Sequence, residues 1–229
     1  MATRIEEDDD DVPALSAQTL AALREFIAEQ RDAEKEGTEE EGEVALVTED
    51  WRLSQFWYDR NTAETLVEEI RFLSDCSQPP SPSVACISCP TLYAYLKKIE
   101  PDIPAQILEF DKRFGQYGED YIFYDYNLPE ELPLSLKHSF KIIVADPPYL
   151  SKECLEKVTK TISFLAKPQD SRLLLLTGEV QKERALELLN VRPCGFRPQH
   201  SNKLGNEFLL YTNYNPQGRL GGWEPTLSE

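Results

Sequence analysis

The sequence is short of positive charge, of histidine and methionine, and of long apolar runs. Lys and Arg number 24 against 41 Asp and Glu, a net charge of −17. A nucleic-acid binder needs a basic footprint, so this balance argues against a phosphate-backbone partner. No stretch approaches the roughly 20 apolar residues of a membrane span. The first residues are acidic rather than basic and then apolar, so no secretory signal is read and a cytoplasmic protein is expected. His138 and His200 are the two histidines, and the five cysteines are Cys76, Cys86, Cys89, Cys154 and Cys194. Cys86-x-x-Cys89 has no second Cys-x-x-Cys to complete a zinc set. It reads as buried thiols at a strand end, reduced in the cytosol.

What the chain does have is unevenly placed. Residues 1–43 hold 15 acids and 4 bases, so most of the negative charge lies in a leader. Residues 1–12 are expected to be disordered, because Glu6 to Asp11 is acidic without apolar period. Residues 13–43 should carry a helix from Pro13 to Arg31, with a Leu20, Leu23, Ile27 stripe, and an acidic linker from Lys35 to Glu43. Residues 44–215 read as one folded domain. Residues 216–229, rich in Gly, Pro and Ser, read as a loose tail.

Within the domain, strand and helix patterns alternate. Strands are expected at Val84 to Ser88, Gln106 to Phe110, Tyr121 to Tyr124, Lys141 to Ala145 and Arg172 to Leu176. Helices are expected from an Asn61 N-cap, over Thr91 to Glu100 with Leu92, Tyr95, Leu96 and Ile99 inward, from a Ser151 N-cap, and over Val180 to Leu189. Val191 to Pro198 and Glu207 to Tyr214 read as a terminal antiparallel pair. Repeated βα units imply an α/β fold, a mostly parallel sheet with helices on both faces. The aromatic run Gln55-Phe56-Trp57-Tyr58 falls just ahead of the first helix.

The organising stretch is Lys141 to Leu150. A β-branched run ends abruptly in Asp146-Pro147-Pro148-Tyr149, since neither proline can give an N–H to a sheet. Asp146 and the Tyr149 ring therefore stand at the carboxyl end of a buried strand, the edge where open α/β sheets bind ligands. A tight turn with Asp146 capping the next helix is the plainer alternative. Further carboxylates fall at strand ends. Asp111, with Glu109 in reserve, could accept both hydroxyls of a ribose, or could simply pair with Lys112 or Arg113. Asp125 could accept from an adenine amino group, or close an Asx-turn.

Asp146-Pro147-Pro148-Tyr149 resembles the catalytic motif of amino-directed, S-adenosylmethionine-dependent methyltransferases. A carboxylate and a rigid carbonyl can accept from an amine's N–H groups and so aim its lone pair. The carboxylate also stabilises positive charge as it develops on nitrogen. The Tyr149 face can stack on a base or attract an alkylammonium. More widely, Trp51 with Leu53-Ser54-Gln55-Phe56-Trp57-Tyr58, Phe110-Asp111-Lys112-Arg113-Phe114, Tyr117-Gly118-Glu119, Phe123 to Asn127, Ala145 to Ser151 and Asn206-Glu207-Phe208 are similar to the elongation factor 1-alpha lysine methyltransferase family. That family was formerly grouped with putative N6-adenine methyltransferases.

The resemblance implies a seven-stranded, Rossmann-like class I methyltransferase fold and a cytoplasmic enzyme. It implies S-adenosylmethionine as cofactor and a lysine of translation elongation factor 1-alpha as substrate. Asp111 and Asp125 would match cofactor-binding strand ends, and Asp146, Pro147, Pro148 and Tyr149 the catalytic motif. Gln55, Phe56, Trp57 and Tyr58 would line the methionine end of the cofactor. One departure stands out: the first strand ends in Ser88-Cys89-Pro90 where such enzymes carry Gly-x-Gly. Ser88 and the Cys89 backbone would have to line the cofactor instead. The alternatives are an adenine-N6 methyltransferase on DNA or RNA and a non-catalytic scaffold of the same fold. No nucleic-acid or membrane partner is expected, and no pattern sets an oligomeric state.

Overall fold

The computed structural model describes residues 46–77, 83–202 and 207–225. The acidic leader and the helix expected from Pro13 to Arg31 lie outside them. Seven strands form one sheet: β1 (Val84–Ile87), β2 (Ala105–Glu109), β3 (Tyr121–Phe123), β4 (Ile142–Ala145), β5 (Arg172–Gly178), β6 (Arg192–Pro193) and β7 (Phe208–Thr212). Their spatial order is β3-β2-β1-β4-β5-β7-β6. All pairings among β1 to β5 are parallel, and β7 runs antiparallel to both β5 and β6. This is the mostly parallel, seven-stranded sheet with a terminal antiparallel pair that the resemblance implied. The pair is shorter than the pattern suggested: the Cys194 amide still donates to Leu210, but Gly195 and Phe196 then donate to Gly222 and Leu220 instead of to β7.

Strand alternation divides the core in two. Val84 and Cys86 of β1 point into one cluster, with Leu66 and Ile70 of α1 (Arg60–Asp75) and Leu92 and Leu96 of α2 (Pro90–Ile99). Ala85 and Ile87 point into the other, with Leu155, Val158 and Ile162 of α3 (Lys152–Leu165). β1 and β4 are thus covered on both faces, which explains why they read as unbroken apolar runs. A short helix α4 (Lys182–Leu189) follows β5 after one turn of 3-10 helix over Glu179–Gln181.

Local caps adjust the expected boundaries. Helix α1 starts two residues earlier than its pattern suggests, because the Asp59 carboxylate accepts from the Thr62 amide at 2.8 Å and takes the N-cap role expected of Asn61. Ser151 caps α3 as expected, accepting from the Cys154 amide at 3.1 Å. Ile99, expected inward, is 42% exposed, since the last turn of α2 emerges beyond the sheet.

The segment after Asn215 is also packed where composition suggested a loose tail. Leu220 is 7% exposed, Trp223 bridges Cys194, and the Trp223 indole donates to Thr212 Oγ1 at 2.9 Å. The glycines that made it read as loose permit close backbone contact: a Cβ on Gly195 would meet the Gly221 carbonyl oxygen at 2.8 Å. Arg219 reaches back to the buried Glu69 of α1, Nε to Oε2 at 2.7 Å, with its guanidinium 3.6 Å over the Phe72 ring.

Candidate active site

The registers Val84↔Ala105, Val84↔Ile142 and Ile142↔Arg172 align the strands at their starts, so their carboxyl ends meet at one edge. Backbone bonds stitch the tips together. The Ser88 amide donates to Leu108, the Asp146 amide to Ile87, and the Tyr124 amide to Glu109. Ser88 does so at φ 51°, the left-handed conformation a glycine would adopt without strain. The loop therefore keeps the sharp turn of a glycine without having one.

A cavity of about 510 Å³ opens over these tips. Its wall takes Ser88 and Cys89 from beyond β1, Glu109 and Phe110 from β2, Asp125 from beyond β3, and Asp146 to Tyr149 from beyond β4. Leu53 to Tyr58 form its other side. Every sequence-predicted site residue except Asp111 thus faces the same space. Asp111 is occupied elsewhere. Its carboxylate accepts from the Arg113 amide and Nε, and from Gln55 Nε2, at 2.8–2.9 Å. Those bonds, the Arg113 side chain foremost, hold it below the usual carboxylate range despite burial. It caps the 3-10 segment Lys112–Asp120 and anchors the Gln55 segment over β2.

Glu109, the reserve choice, lines the cavity that Asp111 does not. Its Oε1 accepts from the Phe110 and Asp111 amides at 3.0 and 3.2 Å, and Oε2 makes no hydrogen bond among the described residues. Burial pushes its carboxyl up to about 7, against the two backbone bonds. A sugar diol offers the donors that Oε2 lacks, so the residue fits a nucleoside. Asp125 closes the Asx-turn, both its bonds from Asn127 landing on Oδ1, and still borders the cavity.

Asp146 stands half-buried in the wall, where desolvation raises its carboxyl well above the ordinary value; Glu109 adds to this and Tyr58 opposes it. Cys89 remains a protonated thiol for the same reason of burial. No Lys or Arg is among the described residues lining the cavity, so it offers a phosphate no charge partner. Three carboxylates, Glu109, Asp125 and Asp146, in an aromatic-rich wall suit a cationic ligand. Pro147 is buried and Pro148 half-buried, whereas Tyr149 stands at the mouth, 43% exposed, edge-on to Tyr126 with ring centres 5.9 Å apart.

His200, Phe208, Tyr126 and Asn127 also line the wall without having been singled out. His200 comes from a segment with no local signal: it stacks on Tyr58, ring centres 4.4 Å apart, and burial takes its imidazole down to about 4. The five cysteines are free thiols, and no His, Cys, Asp and Glu cluster among the described residues could hold a metal ion.

Comparison with known proteins agrees over most of the chain. Residues 49–216 match the family described as probable N6-adenine methyltransferase. EEF1A lysine methyltransferase 1 of Mus musculus is 45% identical over 211 residues, covering 91% of this chain and 95% of that protein. The protein of that name from Gallus gallus is 46% identical over 215 residues, covering 92% and 98%. Protein-lysine N-methyltransferase M142.8 of Caenorhabditis elegans is 39% identical over 213 residues, covering 90% and 96%.

Proposed function

Given that this chain belongs to the family of the EEF1A lysine methyltransferases, we propose that it is a protein-lysine N-methyltransferase that uses S-adenosylmethionine to methylate a lysine of translation elongation factor 1-alpha. The observation that carries the reading is the pair of carboxylates, buried Glu109 and half-buried Asp146, in one cavity at the strand tips that no Lys or Arg of the described residues lines. The same reading puts the enzyme in the cytoplasm, where its free thiols suit a reducing compartment.

S-adenosylmethionine, when bound, supplies a methyl group on a positively charged sulfur. Glu109 would hold its ribose, with Asp125, Phe110, Ser88 and the Cys89 backbone around the nucleoside and Gln55 to Trp57 toward the methionine. The substrate lysine enters past Tyr149 and Tyr126, whose faces favour an alkylammonium. A lysine has no lone pair while protonated, and its ordinary pKa is about 10.4. The apolar wall favours the neutral amine, while Asp146 alone would favour the ammonium. The proton leaves to solvent before transfer, since His200, its imidazole taken down to about 4, is too weak a base to hold it. Asp146 and the Pro147 carbonyl then accept from the amine's N–H groups and aim its lone pair. As nitrogen becomes positive again, Asp146 stabilises it.

Transfer of a radiolabelled methyl group tests the proposal. Label should pass to elongation factor 1-alpha and not to adenine-containing oligonucleotides. Label on the oligonucleotide alone would move the substrate to nucleic acid, and absence of cofactor binding by calorimetry would leave a scaffold.

A further inference from the structure

Tyr58 is 4% exposed, and its hydroxyl completes no hydrogen bond among the described residues. A phenol O–H shut away from water without a partner is costly and rare. Its ring is nevertheless fixed with care. His200 stacks on one face at an angle of 29°, and Phe208 holds His200 edge-on with ring centres 4.8 Å apart. The backbones of Tyr58 and His200 form an antiparallel bridge, flanked by Asp59 N to Gln199 O at 2.9 Å and Ser201 N to Trp57 O at 2.8 Å. Tyr58 and Asp146 line the same cavity, and the Asp146 carboxylate is the charged group that acts on the hydroxyl.

We propose that Tyr58 is the positioning residue for Asp146: its hydroxyl donates to that carboxylate, favours its charged form and aims it at the incoming amine. The role rests on the methyl-transfer reading above. Asp146 needs such a donor. The groups facing it are Tyr58, Glu109, Cys89 and Cys154. Burial and Glu109 favour its protonated form, in which it could not stabilise a cationic nitrogen. Both thiols are neutral and weak donors. The groups facing Tyr58 are Asp146, Cys89 and His200. His200 is uncharged at neutral pH, so it is a plate that locks the ring and does not compete for the carboxylate. Bonds of this kind tighten when substrate arrives, which accounts for a hydroxyl poised but unbonded.

Tyr58→Phe keeps the ring and its stack and removes only the donor. The Asp146 side-chain carbon can be titrated by NMR in protein without cofactor, its signal assigned by its loss in Asp146→Asn. The midpoint should rise by about one to two pH units in Tyr58→Phe. In methyl transfer to the elongation factor, kcat near neutral pH should fall roughly ten- to hundredfold, recover as pH rises, and leave KM for the factor unchanged. In an Asp146→Asn background, adding Tyr58→Phe should change kcat by less than about twofold. An unmoved Asp146 titration, or losses that multiply in the double variant, would overturn the inference. If the wild-type protein fails to methylate the factor, the functional reading falls, and the NMR titration still decides what Tyr58 does to Asp146.

Discussion

The Asp111 backbone amide donates to Glu109 Oε1 at 3.2 Å, so two acidic residues at the end of one strand are tied together while their carboxylates serve different ends. Asp111 spends its own oxygens on Arg113 and Gln55, while Glu109 keeps one oxygen for the cavity. Removing the Glu109 charge should therefore separate stability from binding. Its carboxyl stands at about 7 in the fold against an ordinary 4.5. Ionising it costs folded-state stability, with no penalty below pH 4.5 and the full penalty above pH 7. Glu109→Gln should stabilise the protein without cofactor at pH 8 by up to about 3 kcal/mol and hardly at pH 5. The same change should weaken S-adenosylmethionine roughly ten- to hundredfold. Thermal melts at both pH values and calorimetry check the two halves.

The same group gives wild-type affinity a pH dependence. Sugar hydroxyls donate to the ionised form, so binding draws on the ionised fraction alone. Affinity for S-adenosylmethionine should fall by about tenfold from pH 8 to pH 6 and level off above pH 8. Calorimetry across that range should find the slope in the wild type and lose it in Glu109→Gln.

Asp111→Ala should act chiefly on stability. It strips charge-assisted bonds from Arg113 and leaves the Gln55 amide without its acceptor, at about 1.5–3 kcal/mol. Chemical denaturation should register that loss. The cofactor dissociation constant should change less than in Glu109→Gln, and the reverse order would return the ribose role to Asp111.

Asp146→Asn keeps shape and an acceptor oxygen but not the charge. Single-turnover methyl transfer should slow by a factor on the order of 10²–10³. Cofactor affinity should stay nearly constant. A wild-type rate in this variant would reduce Asp146 to the turn that follows β4.

Arg219→Ala should destabilise although it lies far from the cavity. Glu69 is 2% exposed and receives Arg219 Nε at 2.7 Å and the Tyr214 hydroxyl at 2.9 Å. Without the guanidinium its charge is buried with the tyrosine alone, which should cost about 3 kcal/mol or more. The urea midpoint should fall, with the cofactor dissociation constant unchanged.

The legible parts of the site were those written in adjacent residues. A β-branched run stopped by Pro147 and Pro148 can end only at a sheet edge, so Asp146 and Tyr149 could be placed before any coordinates. The choice between Glu109 and Asp111 could not, because both lie on the same side of an alternating strand. The deciding signal was local after all: in Asp111-Lys112-Arg113 the carboxylate caps the amide two residues on, as side chains do where a helical turn starts. His200 was out of reach, since its partner Tyr58 is remote in sequence and no periodicity links them. The segment after Asn215 misread because glycine signals freedom in a composition, yet Gly195 and Gly221 here permit tight backbone contact beneath Leu220 and Trp223.

The bridge between Tyr58 and His200 also sets when the site can exist. Ser201 and Tyr58, which it brings together, are 143 residues apart. Closing so long a loop is entropically slow, and chains emerge from the ribosome N-terminal end first. The strands that carry Asp146 and Glu109 can pair while synthesis continues, but the wall around Tyr58 must wait for residues 199–201. A nascent chain would thus hold Tyr58 without its His200 stack for most of its synthesis, and acquire a closed cavity only near the end.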